Sequence, residues 1–330
     1  MSEEQPTLSP LGPNRAPTVA NWVEQFKELN KHRWSPNSMM SVDTELRRFA
    51  LFVGARELTP QLLAEFQAVT HERTIKGQKV KLNTIHRTLD KVRQFVQWLD
   101  DMDFVERRRF TGVIRLPTVV QVASKIFTED QYEKLKEAAK GTFWHYAVIM
   151  AYRTGARYSD VALLKWESVH LDECYLRYVP FKTRKTGKEA VCPFDVGGDL
   201  HEVLLEMSLC RGANPKGWEG YVCPEMAMTY PINGTYGAGP RKRFVFKTLC
   251  EKNGCAGLSF HKLRNSFMSR LVKSGASYPM ASQITGLSSP AVFNAYAKPD
   301  LESLRKVMDR MENKDDPPDE GTIIKLPGVA

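Results

Sequence analysis

Four side chains in the C-terminal half have the types and spacing to act on a phosphodiester: Arg157, His261, Arg264 and Tyr296. Arg157 follows Gly155, the stop of an apolar helical stretch, so a turn is placed to hold its guanidinium in a cleft. Arg264 lies three residues beyond His261, which puts both on one face of a helix. Two guanidinium forks and an imidazole can enclose a phosphate, whose transition state spreads negative charge over its non-bridging oxygens. Tyr296 follows a short helical segment and precedes Pro299. A phenol that attacks a phosphodiester stores the bond energy as a phosphotyrosine, so religation needs neither nucleotide nor metal. Taken singly, each residue has an ordinary account: a surface ion-pair arginine, a satisfied polar histidine, a packing tyrosine. Order and context decide between the two.

Other chemistries find less support. The chain holds no Gly-x-x-x-x-Gly-Lys-Ser/Thr stretch. Asp100, Asp101 and Asp103 cluster at a helix end, where solvated acids explain them better than a two-metal nuclease does. Cys174, Cys192, Cys210, Cys223, Cys250 and Cys255 include no Cys-x-x-Cys pair, so free thiols in a reducing compartment are expected, with no metal and no cofactor. A net charge of +9 suits a partner with a phosphate backbone. The polar, acidic N-terminus lacks the apolar core of a secretory signal, and the apolar stretches fall short of a membrane span. A soluble cytoplasmic protein without a membrane partner is expected.

The elements that must position these residues follow from periodicity. Residues 1–17, with Pro6, Pro10, Pro13 and Pro17, read as a flexible arm. Thr18 caps a first helix with Val19, Trp22, Val23, Phe26 and Leu29 at helical spacing; amphipathic helices follow over 38–52, 60–69 and 81–99. Residues 18–105 thus form a helical bundle, with a basic side made by Lys76, Lys79, Lys81, Arg87, Lys91 and Arg93. Residues 106–126, including Arg107, Arg108, Arg109 and Arg115, show no sustained period and read as a linker able to lie along a phosphate backbone. Thr128 and Gln131 form a capping box that opens a second domain over 127–312. There, 142–152 reads as a buried helix and 159–166 as a short one. Strands over 175–179 and 190–193 flank a basic tip from Lys182 to Lys188; residues 211–239 read largely as loop. Helices are predicted over 241–252, 261–274, 280–284 and 301–311, before a disordered tail over 313–330.

Three stretches of this second domain resemble the boxes of tyrosine recombinases of the phage integrase type. Thr154-Gly-Ala-Arg157-Tyr-Ser-Asp160 resembles their first-arginine box, His261-Lys-Leu-Arg264 their His-x-x-Arg box, and Thr285-Gly-Leu-Ser-Ser289 with Tyr296 the box that ends in the nucleophile. The tip resembles their basic hairpin, in which Lys182, Lys185 and Lys188 compete for one role and the Lys-Thr-Gly-Lys pattern selects Lys185. The resemblance implies a mainly α fold with a small β-sheet: an N-terminal helical core-binding bundle plus an α+β catalytic domain. It implies that Arg157 and Arg264 stabilise the pentavalent phosphate and that Tyr296 attacks it. Lys185 would protonate the leaving 5′ oxygen, His261 assist proton transfer, and Asp160 hold the arginine or the histidine. Leu287 departs from the family's usual His or Trp, and leucine donates no hydrogen bond. Either activity is reduced, another group such as Ser288 compensates, or an apolar contact beside the tyrosine is tolerated. The resemblance further implies double-stranded DNA as partner, a homo-tetramer on two DNA sites with the last helix docking onto a neighbour, accessory DNA-bending proteins and a nucleoid-associated location. Two alternatives are a degenerate member that binds DNA without cutting it and a nickase of the type IB topoisomerase kind.

Overall fold

The structure, a computed structural model, describes residues 18–106, 109–119, 125–230 and 240–296, together with Arg305 and Met308. The arm over 1–17 and the tail over 313–330 lie outside the described residues. So does most of the last predicted helix, of which only Arg305 and Met308 are described, both helical and exposed. The chain divides into two compact units, Met1–Ala123 with Pro231–Gly237, and Ser124–Tyr230 with Ala238–Ala330.

The first unit is built from helices α1 (Val19–Asn30), α2 (Pro36–Val53), α3 (Pro60–Glu72) and α4 (Leu82–Asp101). Their starts are written locally. Thr18 forms a capping box with Asn21, and Ser35 and Thr59 cap helices that begin with proline, whose missing N–H is harmless at that position. Their apolar stripes meet in one core containing Phe26, Leu46, Phe49, Leu63, Phe66, Leu89, Phe95 and Leu99. Phe49 packs edge-on against Phe66 at 5.0 Å and Phe26 against Phe95 at 5.6 Å. A two-stranded antiparallel ribbon, β1 (Thr74–Ile75) and β2 (Gln78–Lys79), was not foreseen. Lys76 and Gly77 turn it with positive φ, and it carries Lys76 and Lys79 exposed.

The reading of 106–126 as a linker needs correction. Phe110 and Ile114 are buried in the first unit's core, and Val113 and Leu116 pack against it. The Arg115 N–H donates to Gln67 Oε1 at 2.8 Å, and Arg109 pairs with Glu57. Apolar burial holds this segment without any helical period to announce it. Arg107, Arg108 and residues 120–124 lie outside the described residues.

The second unit contains α5 (Glu129–Ala138), α6 (Phe143–Thr154) and α7 (Tyr158–Ala162), then an antiparallel sheet of β3 (Val169–His170), β4 (Tyr175–Tyr178) and β5 (Ala190–Pro193). It continues with α8 (Asp199–Leu209), α9 (Pro224–Thr229), α10 (Pro240–Lys252), α11 (Phe260–Lys273), α12 (Tyr278–Thr285) and α13 (Pro290–Asn294). The capping box at Thr128 and Gln131 opens α5, and α6 is buried almost throughout. β4 and β5 pair in the register Tyr175↔Pro193 to Tyr178↔Ala190. Between them Phe181–Thr186 winds as a 3-10 turn that Gly187 ends at φ 64°. Three features differ from the sequence reading. α7 stops at Ala162, with Trp166–Ser168 turning separately; α9 falls within the expected loop, whose residues 231–239 lie outside the described ones; and β3 and α8 were not foreseen. The signal for α8 was present, since Leu200, Val203 and Leu204 recur at helical spacing and are buried. No helix among the described residues is long and apolar enough to cross a membrane. The fold is mainly α with small antiparallel sheets.

Candidate active site

The end of α6 places the first arginine. Gly155 takes φ 66°, a conformation that favours glycine, and a Cβ there would strike the ring of Phe267 on α11. The stop therefore seats the end of α6 directly against α11. Arg157 caps α7, its N–H donating to Asp160 Oδ2 at 3.2 Å while its guanidinium lies 3.7 Å from the same carboxylate. Asp160 is buried, and its Oδ1 accepts the Phe181 N–H at 2.8 Å. One carboxylate thus holds the arginine and the start of the basic tip. Of the two partners the sequence left open for Asp160, these contacts are with Arg157.

α11 carries the second arginine. Arg264 is only 4% exposed, and its Nη1 donates to the Gly155 carbonyl at 2.5 Å and the Thr285 carbonyl at 3.3 Å. Thr285 ends α12, so a single guanidinium ties the three sequence boxes together. Arg264 Nη2 and Arg157 Nη1 are buried without a hydrogen-bond partner among the described residues, as is the Tyr178 hydroxyl on β4. Burial and then the like charge of Arg157 push Arg264 down to about 10. His261, on the first turn of α11, is lowered by desolvation of its ring and then by Arg264, Arg157, Lys262 and Lys182, which favours the neutral imidazole. A buried N–H without an acceptor costs about 1–3 kcal/mol. An oxyanion set between the two arginines would satisfy both. Arg157 and His261 also border a cavity of about 510 Å³ walled by Trp144, Tyr158, Phe246 and Phe260.

The third box is held by packing. Gly286 takes φ 62°, and a Cβ there would collide with Pro180, just before the basic tip. Leu287 is 5% exposed and joins Met268, Ala281 and Phe293 in an apolar cluster against which Tyr296 packs. Ser288 is exposed. The contact beside the tyrosine is therefore apolar, one of the alternatives left open by the sequence. The Tyr296 hydroxyl donates to Asn265 Oδ1 at 2.8 Å. Burial raises the Tyr296 phenol above its ordinary value, while the Arg264 charge works in the opposite direction.

The basic tip separates its three lysines. Lys182 lies near enough to His261 to lower it, Lys188 Nζ donates to the buried Ser282 Oγ at 2.5 Å, and Lys185 is exposed. Ser282 in turn donates to the Leu287 carbonyl. Arg157, Asp160, His261 and Tyr296 are thus each brought within electrostatic range of Arg264, whereas Leu287 is in the apolar cluster and Lys185 is on the surface. Sequence reasoning missed Asn265, Ser282 and the two ring contacts of Gly155 and Gly286. Asn265 follows Arg264 directly, and nothing in its local pattern marks it.

The model of the phage integrase family matches residues 125–302, more than half of the chain. The chain belongs to the phage integrase family. Solved structures that share the fold of this integrase-family chain are themselves tyrosine recombinases. The Tn1549 transposon integrase in complex with transposon right end DNA superposes with a TM-score of 0.66 at 15% identity, over 89% of this chain and 99% of that one. A lambda integrase tetramer bound to a Holliday junction gives 0.64 at 15% identity, over 86% and 78%. A lambda integrase dimer bound to a COC′ core site gives 0.62 at 15%, over 85% and 95%. No curated protein matches the chain. At these identities the likeness establishes the fold of the integrase-family chain.

Proposed function

We propose that this chain is a site-specific DNA recombinase that cleaves and rejoins strands through a 3′-phosphotyrosine on Tyr296, in the integration, excision or resolution of a mobile element. The observation that carries the reading is the buried Arg264 guanidinium set against the half-buried Arg157, each with a buried N–H that has no hydrogen-bond partner among the described residues, and the Tyr296 phenol close enough to feel the Arg264 charge. A scissile phosphate between them accepts both N–H groups, and the arginines stabilise its pentavalent transition state. The Tyr296 oxygen bonds to phosphorus as the bond to the 5′ oxygen breaks. Neutral His261 accepts the phenol's proton, and Lys185, following the family pattern, supplies a proton to the leaving 5′ oxygen. Asp160 orients Arg157. The cycle uses no metal or cofactor.

In this reading the first unit is the core-binding domain and the second the catalytic domain, acting on double-stranded DNA as a tetramer across two sites. The tetramer of lambda integrase on a Holliday junction and the net charge of +9 support that assignment. Accessory DNA-bending proteins and a nucleoid location belong to the same proposal. Leu287 favours a second reading, a member that binds its site without cutting, because leucine offers no donor to the phosphate. Incubation with a nicked suicide substrate separates the two. The chain is expected to form a covalent adduct, and Tyr296→Phe to form none while retaining site affinity, since only the phenolic oxygen is removed. Binding without any adduct would establish the second reading, and an adduct with Tyr296→Phe would assign the nucleophile elsewhere.

A further inference from the structure

We propose that Asn265 is a positioning residue that aims the Tyr296 phenol at the phosphate held by Arg264. This rests on the reading of Tyr296 as nucleophile. Asn265 is 5% exposed and follows Arg264 directly on α11. Consecutive helical residues diverge by about 100° around the axis. The same turn therefore directs a guanidinium one way, to the Gly155 and Thr285 carbonyls, and an amide another way, to the Tyr296 hydroxyl at 2.8 Å. The nucleophile's oxygen is fixed to the very turn that bears the phosphate-binding group. Tyr296 is 31 residues further along the chain, beyond α12 and α13, so this bond adds, at the tyrosine itself, to the tie that Arg264 makes between the second and third boxes at Thr285.

The chemistry limits what Asn265 does. An amide oxygen accepts a hydrogen bond but takes no proton near neutral pH, so Asn265 orients the phenol and is not its base. Once Tyr296 has bonded to phosphorus its oxygen carries no hydrogen, and the contact is surrendered. It forms again when religation returns the proton. Asn265 thereby restricts the phenol before each cleavage and has no hold on the covalent intermediate, and restricting a reacting atom in this way raises the rate without raising DNA affinity.

The test compares Asn265→Ala and Asn265→Asp with the unsubstituted full chain, following adduct formation on a nicked suicide substrate, affinity for the same DNA, and the ionisation of Tyr296 by ¹³C-tyrosine NMR, assigned with Tyr296→Phe. Asn265→Ala is expected to slow adduct formation by roughly 10–100-fold with affinity unchanged within about threefold, and to let the phenol ionise at lower pH because the acceptor that favours its neutral form is gone. Asn265→Asp restores the acceptor. It is expected to recover the rate where its carboxyl is neutral, since a carboxylic acid keeps a carbonyl acceptor beside a donor as the amide does, and to lose it as pH rises and the ionised carboxylate repels the phosphate, a limb that a merely structural asparagine would not create. Adduct formation by Asn265→Ala within about twofold of the unsubstituted chain, or no recovery by a stably folded Asn265→Asp, overturns the proposal. If the unsubstituted chain forms no adduct, the recombinase reading fails on its own. The phenol titration still decides the contact, since one unmoved by Asn265→Ala shows that the amide does not hold Tyr296.

Discussion

The two units treat charge in opposite ways. In the helical unit most charged side chains stay near the surface and pair with close neighbours, Lys27 with Glu24 and Asp43, Arg93 with Asp90 and Arg47 with Asp43, although Arg73 too has one buried Nη1 without a partner among the described residues. Its interior is aromatic and aliphatic. In the second unit Arg264 is buried beside Arg157, and each keeps an N–H without an acceptor among the described residues. Folding alone selects the first pattern, because desolvating two like charges is unfavourable. The second persists only where something beyond folding favours it, and an anionic ligand supplies that favour. Buried cations set against one another thus mark chemistry more reliably than the abundance of surface cations, which the helical unit also has.

Emptying the helical core should produce the largest change in stability. Phe95 is fully buried among Phe26, Phe49 and Trp98. Phe95→Ala is expected to cost about 3–5 kcal/mol, measured by denaturant unfolding, while hydrogen-exchange protection in α6 and α11 is retained. Loss of protection in both units together would mean that their stabilities are not separate, and the contrast would weaken. Arg157→Ala should do the reverse. It is expected to lower adduct formation by about a hundred- to a thousandfold while changing stability by less than about 1 kcal/mol, since the Phe181 N–H and the backbone N–H at 157 still reach Asp160. A large loss of stability with an ordinary rate would place Arg157 with the structural arginines of the bundle.

The smallest effect is expected from a charge in the second unit that folding does explain. Asp199 accepts from Arg153 Nε at 2.8 Å and from the Tyr132 hydroxyl. Burial alone would raise its carboxyl, but the bonds from Arg153 and Tyr132 and the Arg153 charge leave it lowered. A carboxyl depressed by folding contributes stability above its unfolded value of about 4, and that contribution is lost as pH falls through the lower folded value. Thermal unfolding midpoints followed from pH 6 downward should therefore decline less steeply for Asp199→Asn than for the unsubstituted chain. Equal slopes would show that the Arg153–Asp199 pair does not couple to folding.

Much of this was local enough to be legible in the sequence. Thr18 and Thr128 announce helix starts because a side-chain oxygen reaches an N–H two or three residues away, and Gly155 announces a stop because few other residues adopt its φ. The β4–β5 hairpin follows from two short apolar runs around Gly187. The candidates Arg157, His261, Arg264 and Tyr296 could be named from motif order alone. Segment 109–116 could not, because its anchors, Phe110 and Ile114, have no period and find their partners far away in sequence. Nor could the choice of Arg157 as the contact of Asp160, the apolar role of Leu287, the tie from Lys188 to Ser282, or the bond from Tyr296 to Asn265. Sequence by itself determined where helices begin and end and which residue types could serve the chemistry, since those depend on neighbours within a few residues. Which carbonyl receives the Arg264 guanidinium and which amide holds the phenol depend on helices brought together over separations of 109 and 31 residues, and only tertiary packing sets those distances.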